Sequence, residues 1–409
     1  MDFPKLRNLN LFPVQISGQA MICLQDPLQM SDKMLFLPPE LYYVISRLDG
    51  CHSFLDIQAD FMRRFGGFLF TEKIEELIAQ LDEHLLLEGE RFQKKLRERE
   101  EEFKRAPIRE AAFAGKSYEK EPDLLRMRLA GYFNEPEGPG RMVGKPKDSK
   151  NLKGVIAPHI DFQRGGFCYA FAHREIQEKD PPPYFVILGV SHAPMGLPFS
   201  LTRKDFATPL GTLKVNGELM DAVQSGCSDD LLGSENVHQW EHSIEFQCVF
   251  LRYLYPEPVP LTILPVLSGS LQEAVERSVS PMELPPVRQF IDALKEAISS
   301  HTNKICLIAS ADLSHVGRQF GDPDGVPDYE LSVLEAKDRQ MLGYVERLDA
   351  EGFFSFVSEE RDRRRICGLS AIYTLLKVLE ATEGRLLKYG QAYTPETQSV
   401  VSFASMAFY

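Results

Sequence analysis

GVIAPHI at 154–160, YFVILGVSH at 184–192 and ICLIASADLSH at 305–315 share one grammar: an apolar run, then a short polar segment that carries a histidine. Short runs rich in Val and Ile, without polar alternation, read as strands buried on both faces. LTILPVL at 261–267 and VVSFASMAF at 400–408 belong to the same class, and helical patterns such as residues 287–299 and 369–380 separate the runs. Strands alternating with helices predict an α/β fold, a mostly parallel sheet with helices on both faces. In such sheets ligands bind outside the carboxyl ends of the strands, where loops converge on a rigid rim. His159, His192, Asp312 and His315 all fall there, delivered by three separate strands, and His242 in WEHSIE (240–245) is a further candidate. They are expected to gather in one polar, metal-binding pocket. His52, His84, His173, His238 and His301 sit in helical or surface-like settings and carry no assigned role.

The first 90 residues read differently. LFPVQI and AMICLQ flank Ser17–Gly18 as a hairpin. Leu41, Val44, Ile45 and Leu48 recur at helical spacing up to Asp49-Gly50. Ser53 with Asp56 forms a capping-box pattern for a second helix, which carries Phe54, Ile57, Phe61 and Phe65 and ends at Gly66-Gly67. A third helix follows Thr71, with Ile74, Leu77, Ile78, Leu81 and Leu85 on one face. Two strands and three helices, with the phrase VISRLDG, resemble a winged-helix unit of the PqqD-like, peptide-recognising kind. A DNA-reading helix needs basic side chains, and residues 71–90 hold seven acids against Lys73 alone. A peptide or protein partner, added to an exposed sheet edge, is the expected ligand of this unit; a plain packing or dimerisation module is the alternative. Residues 91–107 are almost continuously charged with mixed sign and predict a solvated helical linker, leaving 108–409 for the α/β domain.

With a net charge of -13, broad binding to nucleic acid or to an anionic membrane is not expected. Seven scattered cysteines with no CxxC pattern read as reduced thiols. No secretory leader and no run of about 20 apolar residues is visible, so the expected location is the cytoplasm.

Six separated segments carry a resemblance. APH at 157–159, LGVSH at 188–192, EHSIE at 241–245, SADLSH at 310–315, CGLSAIYTLL at 367–376 and SVVSFASMA at 399–407 resemble the Memo family in order and spacing, and AAFAGKSY at 111–118 resembles its opening segment. Members of this type are called AmmeMemoRadiSam system protein B, and a radical-SAM protein and an AMMECR-type protein are the partners so implied. The resemblance also implies a fold similar to class III extradiol dioxygenases of the LigB type, which use non-haem iron. It implies His159, His192 and Cys367 as ligands of a single transition-metal ion, with His315 as a base, Asp312 as its acidic companion and His242 facing substrate. A face of two histidines and one carboxylate suits iron; a thiolate in place of the carboxylate makes copper or zinc more competitive. Cys367 follows RDRRR (361–365), which either lowers its pKa or is a solvated surface run. The chain departs from the family pattern at Phe113, at HIDFQRGG, at Ala193 and at Leu369-Ser370, where the family has Arg-His. Asp161 adds a carboxylate within reach of the first ligand motif. Two functions follow as expectations: a metal-dependent oxidoreductase acting with a radical-SAM system, or a non-catalytic metal- or peptide-binding module on a dioxygenase-like fold.

Overall fold

The computed structural model describes residues 3–26, 30–31, 34–134, 136–140, 151–177, 184–301 and 305–409. The chain divides into two compact units, Met1–Arg105 and Ala106–Tyr409.

In the first unit, β1 (Asn10–Ile16), β2 (Gln19–Gln25) and β3 (Leu35–Leu37) form an antiparallel sheet in that order. Helices α1 (Pro39–Ile45), α2 (Phe54–Phe65), α3 (Thr71–Glu83) and α4 (Glu90–Arg105) follow. The Ser53–Asp56 capping box forms, and Gly66 ends α2 in the left-handed conformation, at φ 71°. Strand β3 is too short to show as a run, and the sequence reading passes over it. The charged segment expected as a solvated helical linker is mostly α4, but it is not solvated all round. Phe92 and Phe103, about three helical turns apart, are buried, and the Arg7 guanidinium lies 3.9 Å from the centre of the Phe92 ring. Charge dominates the composition of this helix, yet two aromatic residues on one face suffice to anchor it.

The second unit runs β4 (Ile108–Arg109), α5 (Pro122–Tyr132), β5 (Gly154–Ala157), α6 (Phe162–Gln177), β6 (Tyr184–Val190), β7 (Phe199–Leu201), β8 (Asp205–Thr208), β9 (Gly211–Val215), α7 (Gly217–Ser225), α8 (His242–Leu254), β10 (Thr262–Ser268), α9 (Gln272–Arg277) and α10 (Pro285–Ser300). It closes with β11 (Ile305–Ser310), β12 (Asp312–Val316), α11 (Leu331–Glu346), α12 (Ala350–Glu359), α13 (Leu369–Val378), β13 (Gly384–Thr394) and β14 (Ser399–Phe408). Strands β5, β11, β6, β10 and β9 lie side by side and parallel. Strand β14 extends this core antiparallel to β5. Successive side chains of a strand point to opposite faces, and each face has its own core. On β6, Val186 and Leu188 join one core with Leu219 of α7, Phe290 of α10 and Ile372 of α13. Phe185 and Ile187 join the other, with Leu125 of α5, Tyr169 of α6 and Phe250 of α8. This two-sided burial is why the strands read as unbroken apolar runs. Among the described residues, no helix is long and apolar enough to cross a membrane.

One histidine left without a role carries a pH dependence. His173 in α6 is fully buried beside Tyr169 and Phe250; its Nδ1 bonds the Tyr169 carbonyl at 3.0 Å, and its Nε2 has no partner. Burial holds its pKa down at about 4. The unfolded chain takes up this proton below about pH 6.5, whereas the folded chain refuses it, so stability is lost as pH falls from about 6.5 towards 4. At 1.36 kcal/mol per unit, the penalty approaches about 3 kcal/mol. His173→Phe keeps the ring packing and removes the titration. Urea unfolding at neutral pH and near pH 4.5 should therefore show a distinctly smaller acid loss in the variant, by about 2 kcal/mol. Equal losses in both proteins would refute this assignment.

Candidate metal centre

Strands β5, β11 and β6 are neighbours in that order, and their carboxyl ends are level: Ala157 pairs with Ser310, and Leu188 with Ala309. Two residues beyond each strand comes a polar side chain: His159 after β5, His192 after β6 and Asp312 after β11. The backbone register thus sets three functional groups along one rim. Helix α8 brings a fourth, because His242 is its first residue. Its approach needs the bare backbone of Gly189 in β6, where a Cβ would stand 2.6 Å from Ile244 Cγ1 and 2.7 Å from Ser243 Oγ. The Ser243 hydroxyl accepts from the Val190 N–H at 3.1 Å and donates to the Val190 carbonyl at 2.9 Å, fixing the helix end to the strand end.

His159, His192 and His242 each offer a ring nitrogen, and the three nitrogens lie within 4.8 Å of one another. Ring centres are 5.1 Å apart for His159 and His192, 5.4 Å for His159 and His242, and 4.8 Å for His192 and His242, the last pair stacked. Two of the rings are oriented by a hydrogen bond at Nδ1, and the third has its Nδ1 beside a carboxylate. His159 Nδ1 meets the Ser310 carbonyl at 3.0 Å. His192 Nδ1 and His242 Nδ1 both meet the Glu241 carboxylate, at 3.0 and 3.2 Å. A carbonyl or carboxylate partner places the proton on Nδ1 and leaves Nε2 as a lone pair. Glu241 also accepts from the N–H of His192 at 2.9 Å and of Ser243 at 2.9 Å, which makes it both the cap of α8 and the clamp of two rings.

Burial holds His159 and His242 down at about 3, with the neighbouring imidazoles adding to the effect. Burial also opposes charge on His192, but the Glu241 carboxylate outweighs it and raises the pKa. Glu241 is buried, which favours its neutral form, yet His192, His242 and the converging N–H groups hold it well below the usual carboxylate range. His159 and His242 are thereby held neutral, the form that binds a metal, whereas the raised pKa of His192 means that a metal has to displace its proton. Three imidazole nitrogens gathered within 4.8 Å of one another fit a transition-metal ion, and imidazole donors suit zinc, copper and iron alike.

The other expected residues surround this centre in different ways. Cys367 lies against His159, Sγ to Nε2 3.3 Å, and its Sγ is 3.6 Å from the Asp312 carbonyl. It stands outside the three-nitrogen set, and burial, with Asp312 adding to it, raises its pKa well above the ordinary value. Asp312 is buried, accepts from the His159 N–H at 3.0 Å, and has its second oxygen 3.6 Å from His159 Nε2. Burial raises its pKa. His315 bonds the Leu313 carbonyl through Nδ1 at 3.1 Å and, with His192 and Cys367, lines a cavity of about 410 Å³. Phe113 packs on His242, ring centres 5.6 Å apart.

Asp161, whose place the sequence leaves open, is not among the three grouped residues; it caps α6 and pairs with Arg164 at 2.5 Å, on a cavity that includes Lys116 and Arg128. One expectation requires correction. The RDRRR run is not a solvated surface run. Arg364 is buried and paired with Asp338 at 2.5 Å, and Arg365 pairs with Asp322 at 2.6 Å. With these partners the run does not lower the Cys367 pKa. Sequence reasoning also missed Glu241, whose signal was an acid directly before a histidine at a helix start.

Fold and site together define a mixed α/β protein with a trihistidine cluster on the rim of its parallel strands. Residues 109–407 match the family model described as Memo-like protein, and the chain belongs to this family. A MEMO1 family protein of Aquifex aeolicus is 31% identical over 409 residues, 99% of this chain and 100% of its own length. Relatives from Methanopyrus kandleri and Methanothermobacter thermautotrophicus, also MEMO1 family proteins, are 28% and 29% identical over 310 residues each. These alignments cover 73% of this chain, and 98% and 100% of the two relatives.

Proposed function

We propose that this chain is a metal-dependent oxidoreductase on a dioxygenase-like fold, its single transition-metal ion held by His159, His192 and His242. The observation that carries the reading is the gathering of three ring nitrogens within 4.8 Å of one another, with His159 and His192 oriented by hydrogen bonds at Nδ1 and His242 beside the Glu241 carboxylate. A trihistidine face leaves coordination positions open, as a catalytic site requires. Iron or copper bound there would supply electron transfer and activation of a small oxidant. His192 is 44% exposed at its side chain, on the cavity that receives substrate. His315 lines the same wall; burial lowers its pKa, although Asp312 opposes the shift, so at neutral pH its Nε2 is a free base able to take a proton from substrate. The Cys367 thiol limits the room beside His159, and joining the metal would require it to release its proton. A radical-SAM protein and an AMMECR-type protein, implied by the family resemblance, are proposed as partners. The first unit, with β1 and β3 at the two ends of its sheet, is proposed to recruit a peptide of such a partner by strand addition.

The proximity of Cys367 favours a second reading, in which the site retains copper or zinc without turnover. Oxygen consumption by iron- and copper-loaded protein separates the two. Turnover that falls about 10²–10⁴-fold in His315→Ala, with metal content unchanged, is the expected result. Equal rates in variant and parent would remove His315 from the mechanism, and stable metal with no oxygen uptake under either loading would favour retention.

A further inference from the structure

Helix α2 is apolar on two sides. Its inner side carries Ile57, fully buried in one core with Ile74, Leu77 and Leu81 of α3. The other side faces solvent, with Leu55 77% exposed and Met62 45% exposed. Leu55, Gln58 and Met62 fall at i, i+3 and i+7, which aligns them along one helix face. Gln58 brings the loop before α3 onto that face: its Nε2 donates to the Leu69 carbonyl at 2.8 Å and to the Thr71 hydroxyl at 3.1 Å. Phe68 and Phe70, on either side of Leu69, are 81% and 67% exposed, and Phe65 at the helix end is 46% exposed. The five side chains together leave roughly 500 Å² of apolar surface to water, the size of patch that marks an interaction site. Two such patches face to face remove about 1,000 Å², the area at which a specific interface begins.

Charge selects the occupant. Arg64 precedes Phe65 at the end of α2; it is exposed, and its guanidinium lies 5.8 Å from the centre of the Tyr43 ring. Glu72 and Glu75, at the start of α3 beyond Phe70, are exposed as well. Among the described residues none of these three has an ion-pair partner, whereas the neighbouring Arg63 and Lys73 are matched by Asp60 and Glu76. The patch therefore has an apolar centre, a cation at one end and two anions at the other. A two-fold rotation lays the cationic end of one copy on the anionic end of another, which is the self-complementarity an isologous contact requires. Aromatic residues and Met at the centre with charges at the edge are also the composition of interface cores and rims. We infer that two copies of this chain pair through this patch, phenylalanines at the centre and Arg64 against Glu72 and Glu75 of the second copy. The contact involves no residue of the metal centre and is independent of the function proposed for it.

The test is sedimentation equilibrium of the full-length protein, from about micromolar to about 0.1 mM, the range expected of so small an interface. The mass should rise from one chain to two. Phe68→Ser with Phe70→Ser should weaken pairing by at least about 30-fold, the loss that accompanies one interface hot spot. Both rings are exposed, so the melting temperature should not change. Arg64→Glu should pair with itself about 10-fold more weakly, and so should Glu72→Lys with Glu75→Lys, because like charges then meet. An equimolar mixture of these two variants should recover the pair, since every charged contact between them joins opposite signs. A single-chain mass at every concentration, a pair that survives the serine substitutions, or charge variants that fail to recover on mixing would each overturn the inference. A single-chain mass together with a melting temperature lowered by the serine substitutions would overturn it in favour of the chain's own second unit as the cover of the patch.

Discussion

His242→Ala should empty the metal centre as completely as His159→Ala or His192→Ala. Each of the three rings contributes one of three converging nitrogens, and loss of a direct donor costs more than the roughly 10- to 100-fold that follows disturbance of an outer partner. Glu241→Gln tests that outer partner. The amide no longer offers a carboxylate to the His192 Nδ1–H and beside His242, so the hold on both rings loosens, and affinity should drop by about 10- to 100-fold without the loss of a ligand. Cys367→Ala should keep the metal, since its sulfur stands outside the three-nitrogen set. Metal analysis of untagged protein, with chelator competition to rank affinities, reads all five variants. Metal retained in His242→Ala and lost in Cys367→Ala would reverse the ligand assignment and restore the set of two histidines and a cysteine implied by the family resemblance.

That contrast marks where sequence stops being sufficient. His159, His192 and Asp312 were legible because strand ends are legible: an apolar run fixes the strand, and its register fixes the residue two positions beyond. His242 was legible as a further candidate in WEHSIE, given a substrate-facing role by the resemblance, but not as a member of the three-nitrogen group, because its position depends on how α8 docks through Gly189 and Ser243, a tertiary contact with no local signature. Glu241 was missed for the same reason. Its carboxylate reaches His192, 49 positions away in the chain. The position of Asp161 after the first ligand motif left its role open; its spacing to Arg164 is that of a helix cap, and the local pair holds it. In RDRRR, composition could not say which arginine goes inside, since the partner of Arg364 is Asp338 on α11. The two-faced burial of the strands, by contrast, was written in their unbroken apolar runs.

Arg109→Met should destabilise the second unit by about 3–5 kcal/mol, the cost of leaving one member of a buried ion pair alone. At roughly 2–4 °C per kcal/mol for a large domain, the melting temperature should fall by about 10 °C. Arg109 and Glu245 are completely buried and bonded to each other. Arg109 also donates to the carbonyls of His238 at 3.0 Å, Glu110 at 2.9 Å and Glu241 at 2.8 Å. Glu245 accepts from the N–H groups of Ala112 at 3.1 Å and Phe113 at 3.0 Å, and from the Tyr118 hydroxyl. These bonds hold the segment 109–118 against α8. If the arginine acts through the unpaired carboxylate it leaves behind, Arg109→Met with Glu245→Leu should recover much of the loss, because the two effects are coupled rather than additive. A double variant as unstable as the sum of the singles would mean that the carbonyl contacts of Arg109 dominate. The same side chain also fixes the backbone of Glu241, the residue that clamps His192 and His242. Arg109→Met should therefore weaken metal retention at temperatures where the variant is still folded, whereas His173→Phe, remote from the clamp, should not. Unchanged metal affinity in folded Arg109→Met would confine the ion pair to stability and separate the opening segment from the centre it appears beside.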